Sequence, residues 1–595
     1  MNYTFTLMII SLLISLLRAG ENWETFYEQS AFTQTPSYAQ TVDYARRLAQ
    51  ASPWVSYRSF GISPRGRALP LLIVDRDGLS DPQAIRRAGR VIMLIQAGIH
   101  AGEIDGKDAG LMLIRDLVIK RQNSALLDKV SILFMPIFNV DGHERFGPYN
   151  RINQNGPQKM GWRTTAQNYN LNRDYLKADA PEMQSWLRLY HQWKPEFFID
   201  CHVTDGADYQ YALAYAIDEH GLAGRQVNAW VREQFVPHMR RTMRGLGFPT
   251  IDYIQFRQRH RPRSGLVGWV AGPRFSNGYT AYNNRPGLLI ETHMLKPYRV
   301  RVEATHALLL TSLRLLAQKG IQLQKAIAAA DSFVSSDAFR QKPYPLSYRL
   351  TGDSSLVTFL GKKYRLERSA VSGAHYVRFS EDTVRWRIPF FNTFRPATTV
   401  GIPLAYILPP EWSAIAERMA LHGLHFRRLN RPLPLAVESY RFANPVWRQK
   451  PFENHHRLRV DKQVIREERH FPAGSYVFST AQAGVKLLTH MMEPDGSDSF
   501  VQWGFFDPVF EQKEYAENYV MELLAPMMLA GDAELKKRFE RKRREEPAFA
   551  ADPRAILDWF YRQSPWFDQK MNLYPVGRIY DKDTYNQAIQ ESTVR

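Results

Sequence analysis

RVIMLIQ at residues 90–96 is an uninterrupted apolar run, and His100-Ala101-Gly102-Glu103 begins four residues after its end. A short run that is apolar on both faces and closes in a glycine-rich, ionisable turn reads as a strand inside a sheet covered on both sides. Three other runs share that character: VSILFMPIF at 130–138, EFFI at 196–199 and GLLI at 287–290, each ending in polar or ionisable residues. From about residue 40, such runs alternate with amphipathic stretches, the pattern of an α/β domain. Open α/β sheets bind ligands beyond the carboxyl ends of their strands, so these four strand ends can share one pocket.

The chain has 595 residues, enough for more than one domain. Its 44% hydrophobic, 23% charged and 13% aromatic content is that of a globular protein and excludes wholesale disorder or a collagen-like structure. Lys and Arg number 78 against 59 Asp and Glu, a net charge of +19. No RRM, zinc-knuckle or recognition-helix pattern organises that charge on a nucleic acid, so no nucleic-acid partner is expected. Cys201 is the single cysteine, which excludes an internal disulfide and any cysteine-based zinc or iron–sulfur site. A metal must therefore be held by His, Asp or Glu.

Residues 5–17 are apolar and are followed by Arg18-Ala19-Gly20-Glu21-Asn22. A bilayer core needs about 20 apolar residues, so this segment reads as the core of a signal peptide covering about residues 1–20. No Lys or Arg precedes it. No later segment has the character of a membrane span, and the mature protein is expected to be exported to the periplasm or the extracellular space. A helical stretch at 302–330 closes a first region at 21–335, the one that holds the four apolar runs. Residues 336–595 read as a smaller α/β or α+β accessory domain. It is strand-like over 340–410, then has an amphipathic helix opened by Pro410-Glu411-Trp412 and another at 482–492. Its charge run KKRFERKRREE at 536–546 contains Glu534/Arg538 and Glu540/Arg544 at i,i+4 spacing, as on a solvated helix face.

A His and a Glu three residues apart, in a turn leading to a helix, can converge on one ion. The same spacing recurs at His490-Met491-Met492-Glu493. There it closes an apolar helix ahead of Pro494, and it reads as a helix terminus with the histidine near the negative dipole end. For His100 and Glu103 a third ligand is available in His202, just past the run at 196–199. Two histidines and a glutamate, two close in sequence and one distant, make a tetrahedral zinc site with one position open, the catalytic form. Attack on an amide carbonyl also needs a carboxylate to take the water's proton and deliver it to the leaving nitrogen. Glu291 ends the run at 287–290, where an acid hard against apolar sequence is costly without a partner or a task.

His100-x-x-Glu103, Asn139-Val140-Asp141-Gly142, Asn170-Leu171-Asn172-Arg173, His202 and Leu289-Ile290-Glu291-Thr292 stand in an order and spacing that resemble the zinc metallocarboxypeptidases, the M14-type family of carboxypeptidase A. The resemblance covers roughly residues 35–325. It implies a mixed, mostly parallel sheet flanked by helices and one Zn2+ per chain held by His100, Glu103 and His202. It makes Glu291 the general base and Arg163 the stabiliser of the developing oxyanion. Asn172 and Arg173 would hold the substrate's terminal carboxylate, which a guanidinium matches as a bidentate pair. Tyr279, in preference to Tyr282, would be the substrate-binding tyrosine of a mobile loop. Two positions depart from the family pattern: Val140 where proline is common, and Asn170 where many members have an aspartate behind the first histidine. An amide accepts the imidazole N–H but raises ligand basicity less. Thr35-Pro36-Ser37-Tyr38 and the segment 61–67 resemble the opening of the catalytic domain, so an enzyme active without zymogen cleavage is expected. The expected activity is hydrolysis of the C-terminal peptide bond of peptides with a free carboxylate. A peptidoglycan peptidase or deacylase on the same site is the nearest alternative. A catalytically inactive binding protein using the second domain for adhesion is a further one, and the side-chain preference stays open.

Overall fold

The four apolar runs form the centre of one eight-stranded sheet. The computed structural model describes residues 22–204, 206–259 and 261–594, and the signal-peptide reading at 1–20 lies outside them. The strands are β1 (Val55–Ile62), β2 (Ala68–Val74), β3 (Val91–Ala97), β4 (Val130–Met135), β5 (Phe197–Thr204), β6 (Leu213–Ala216), β7 (Thr250–Asp252) and β8 (Gly287–His293), in the order β1-β2-β4-β3-β5-β8-β6-β7. β4, β3, β5 and β8 are mutually parallel, while β2 and β6 join them antiparallel on either side. The sheet is thus mixed with a parallel centre, as expected. Every residue of those four central strands is buried, which is why their sequences do not alternate.

Strand ends differ from the sequence reading in two informative ways. β4 stops at Met135, because Pro136 has no N–H for the ladder. β5 and β8 run on beyond Ile199 and Ile290, since their parallel register pairs His202 with Glu291 and Thr204 with His293. The neighbouring strand satisfies the backbone of these polar residues, so the ladder carries them inside the sheet.

The helices that flank the sheet include α1 (Tyr38–Ala51), α2 (Asp105–Val118), α3 (Pro181–Trp193), α4 (Ser276–Tyr282) and α5 (Tyr298–Val334). At 37 residues α5 is about 55 Å long. α2 follows the loop carrying His100 and Glu103 and presses onto β5 at Gly106, where a Cβ would lie 2.3 Å from that of Cys201. Asp105, the first residue of α2, accepts the Thr292 hydroxyl at 2.6 Å and the Arg301 Nε–H at 2.9 Å, all three buried. The site loop is thereby tied to β8 and α5.

The chain divides into two compact units. The first holds the chain up to Pro403 with Ser413–Phe426 and Phe478–Ser499; the second holds Leu404–Trp412, Arg427–Val477 and Phe500–Arg595. Residues 336–403 therefore group with the first unit, across the sequence-drawn boundary at 335/336. The physical reason is a long hairpin, Ser355–Arg368 with His375–Phe391, which adds to the short strands Leu266–Val267 and Gln255–Phe256. Its Phe359 and Ile388 share a core with Tyr209, Tyr211 and Ile251. The second unit is α+β. Its antiparallel pair Leu433–Trp447 and Leu458–Phe471 packs Leu435, Val437 and Phe471 against Ile407 and Ile579. Three helices, α6 (Asn518–Gly531), α7 (Ala533–Glu545) and α8 (Pro553–Gln563), share a separate core of Met521, Leu535, Leu557 and Phe560.

Candidate active site

His100 lies in the loop after β3, Glu103 just ahead of α2, and His202 within β5, so three elements deliver three candidate ligands. His100 Nδ1 is 3.1 Å from Glu103 Oε2, His202 Nδ1 is 2.9 Å from the same oxygen, and the two Nδ1 atoms are 3.2 Å apart. All three side chains are buried. The outer nitrogens are occupied: His100 Nε2 lies 3.1 Å from Asn170 Oδ1 and His202 Nε2 lies 2.8 Å from Asp200 Oδ2. With Nε2–H donated to those oxygens, each imidazole in its neutral, metal-binding form turns its Nδ1 lone pair inward. Three inward lone pairs repel one another unless a cation lies among them. A tetrahedral zinc ion with ligands at about 2.0–2.1 Å sets its ligand atoms roughly 3.3 Å apart, so the donor set fits Zn2+ with little rearrangement.

The remaining contacts hold Glu103 in place. Its Oε1 meets Arg151 Nη1 at 2.7 Å and Arg163 Nη1 at 3.2 Å, while Oε2 accepts the Val203 backbone N–H at 3.1 Å. Burial alone would raise this carboxyl, but His100, Arg151 and its hydrogen bonds outweigh burial and hold it well below the usual range. Burial takes His100 down to about 4. His202 goes the other way: burial opposes its charged form, yet the Asp200 carboxylate raises it well above the ordinary histidine value. Glu291 is pushed up to about 8 by burial, with Glu103 and Asp200 adding to the effect and His202 opposing it. A carboxyl titrating near neutrality can both take and release a proton.

These groups open on a cavity of about 670 Å³, which Arg163, Asn172, Arg173 and Glu291 also line. In-register residues of adjacent strands face the same side, so β5 and β8 present His202 and Glu291 together. Asn172 is set by its Oδ1, which accepts the Ser276 N–H at the start of α4 (3.1 Å), and its Nδ2 lies 3.3 Å from His202 Nε2. The Arg173 guanidinium stacks 4.6 Å from the Phe275 ring centroid and donates to the Asn172 carbonyl at 2.7 Å. Arg163, two-fifths exposed, reaches from the cavity rim.

Tyr279 is not brought to the cavity, and the expectation that it binds substrate is corrected here. It is fully buried in α4, its hydroxyl 2.7 Å from His191 Nε2 and 2.9 Å from His422 Nδ1, among Tyr175, Trp186 and Tyr190. Tyr282 is buried as well, 4.5 Å from the His490 ring. A seven-residue helix packed on the sheet leaves neither ring free to swing. Tyr253, which the sequence reading passed over, lines the cavity instead.

The sequence reading also passed over Arg151, Asp200 and Gln96. Asp200 accepts from Gln96 Nε2 at 2.8 Å while its other oxygen meets His202, and Gln96 reaches Tyr175 as well. Asp200 and His202 are two apart on one strand and share a face, so the period of two was the available signal. Arg151 had none, being placed by a loop far from Glu103 in sequence.

Comparison with known proteins agrees with this geometry. Residues 41–219 match the model of the zinc carboxypeptidase family, a span that includes His100, Glu103 and His202 and ends before Glu291. Carboxypeptidase 2 of Trichophyton rubrum is 23% identical over 499 residues, covering 81% of this chain and 86% of that protein, and carboxypeptidase 2 of Trichophyton equinum matches to the same extent. Among solved structures, the carboxypeptidase A of Helicoverpa armigera aligns with a TM-score of 0.37 at 16% identity, over 53% of this chain and 81% of that one. The metallo-carboxypeptidase of Burkholderia cenocepacia aligns with a TM-score of 0.35 at 16% identity, over 48% and 70%. The chain is thus a metallopeptidase that carries a zinc carboxypeptidase domain.

Proposed function

We propose that the chain is an exported carboxypeptidase that removes the C-terminal residue from peptides bearing a free α-carboxylate. The observation that carries this reading is the convergence of His100 Nδ1, Glu103 Oε2 and His202 Nδ1 beside Glu291, in a cavity that Asn172 and Arg173 also line. His100, Glu103 and His202 would hold zinc, which supplies Lewis-acid polarisation of the scissile carbonyl and lowers the pKa of water. Glu291 takes the proton of the attacking water and delivers it to the leaving nitrogen. Arg163 offers its guanidinium to the oxygen on which negative charge develops. Arg173 and Asn172 bind the terminal carboxylate, and that contact restricts cleavage to the last peptide bond.

The test compares a blocked dipeptide with its C-terminally amidated twin. A free carboxylate is expected to raise kcat/KM by at least about 100-fold, the loss that follows from leaving a charge-assisted pair unmade. Equal rates on the two substrates would overturn the carboxylate anchor and favour a deacylase. N-terminal sequencing of the protein recovered outside the cell tests export, since removal of about the first 20 residues is expected.

A further inference from the structure

Helix α6 is apolar on both of its faces. Its inner face supplies Met521 and Ala525 to the core it shares with α7 and α8. Its outer face carries Tyr519, Leu523 and Met527, spaced four residues apart and 70%, 72% and 69% exposed. The outward Val520 and Pro526 extend the stripe, and Glu522 is the one charged residue in the helix. Large apolar side chains scattered singly over a surface need no explanation, but a continuous line of them does.

The next helix follows α6 with no linker, because Asp532 is at once the C-cap of α6 and the N-cap of α7. α7 reads AELKKRFERKRRE, with seven Lys or Arg against three Glu. Lys537 pairs with Glu534 and Lys542 with Glu546. Among the described residues Lys536, Arg541 and Arg544 are exposed and have no carboxylate partner. The i,i+4 pairing foreseen for Glu534/Arg538 and Glu540/Arg544 does not form; Arg538 donates instead to Gln563 Oε1 at 3.3 Å, and Arg544 stays available.

We infer that α6 and α7 together dock the protein on an anionic lipid surface, α6 lying flat at the level of the headgroups with its apolar stripe inward and α7 set against the lipid charge. An apolar stripe beside unpaired cations is the complement of such a surface. A second copy of the chain is a poorer occupant, because pairing two stripes would bring two strongly cationic helices together. Spanning is excluded for α6: at 14 residues it is about 21 Å long, and no described helix is long and apolar enough to cross a membrane. Tyr519 suits the interface, where an aromatic ring sits in the apolar boundary and its hydroxyl stays wet.

The test is co-sedimentation of the full chain with vesicles of phosphatidylcholine alone or with about one-third phosphatidylglycerol, at about 0.1 M salt. The anionic vesicles are expected to bind at least about tenfold more tightly. Leu523→Glu with Met527→Glu, and separately Lys536→Glu with Arg541→Glu, are each expected to remove that binding while far-UV circular dichroism stays unchanged. The second pair keeps the test decisive if the first disturbs folding. Equal binding to both vesicle types, or binding that survives both pairs of substitutions, overturns the proposal. So does a dimer that dissociates on Leu523→Glu and binds no vesicles.

Discussion

Besides the candidate ligand Glu103, two carboxylates act on His202, and their positions separate their tasks. Asp200, fully buried, holds Nε2 through Oδ2 at 2.8 Å and accepts from Gln96 through Oδ1. Glu291 lines the cavity, where substrate can reach it. Their substitutions are therefore expected to fail differently. Glu291→Gln should lower kcat by about 10²–10⁴-fold with zinc stoichiometry retained, since proton transfer is lost and the ligands are not. Asp200→Asn should weaken zinc binding by about 10–100-fold while kcat at saturating zinc stays near that of the parent. Chelator competition and rates at fixed free zinc distinguish the two; a Glu291→Gln enzyme with full activity would refute the assigned base. Glu291 was visible in the sequence as an acid closing an apolar run. Asp200 was legible only through the period of two, which applies once β5 continues past Ile199.

At the scale of elements, the site depends on how closely α2 approaches β5. The loop holding His100 and Glu103 feeds directly into α2, so a shift of that helix moves two candidate ligands against the third. Gly106 has no side chain to keep α2 off Cys201, whereas a Cβ would come within 2.3 Å of it. Gly106→Ala is expected to destabilise the fold by about 1–3 kcal/mol, read as a lower urea midpoint, and to weaken zinc binding with it. An unchanged midpoint would mean that α2 is free to retreat, contrary to its ties through Asp105 to Thr292 and Arg301. Tyr279 shows what element-level reading of sequence misses. The family resemblance implied a mobile-loop residue, but Ser276–Tyr282 is helical and packed on the sheet, so the ring is committed to the interior.

For the molecule as a whole, stability carries a pH signature from a buried acid outside the cavity. Glu182 stands second in α3, fully buried, and neither carboxylate oxygen has a hydrogen-bond partner from another side chain. Burial, helped by Asp141 and Asp174, raises it from 4.5 to about 7. Between those values the folded chain keeps a proton that the unfolded chain releases, so stability falls as pH rises from about 4.5 to about 7 and then levels. Glu182→Gln should remove that slope. Urea midpoints of parent and variant are expected to agree near pH 5 and to differ near pH 8, where the variant is more stable by about 1–3 kcal/mol. A parallel pH dependence in both proteins would assign the slope elsewhere.

The sequence by itself determined the elements and the chemistry. Apolar runs free of alternation dictate buried parallel strands, a lone cysteine leaves a metal only His, Asp or Glu, and His100, Glu103, His202 and Glu291 stand out as ionisable groups beside apolar sequence. These are properties of residues and their near neighbours, legible without knowing what lies across the fold. Tertiary structure alone decided what depends on register and distant packing. It carried β5 and β8 on far enough to face His202 with Glu291, put Arg151 on Glu103, withdrew Tyr279 from the cavity and joined residues 336–403 to the catalytic unit. Each of those outcomes is a meeting of groups distant in the chain, settled by ladder pairing and close packing that no local pattern encodes.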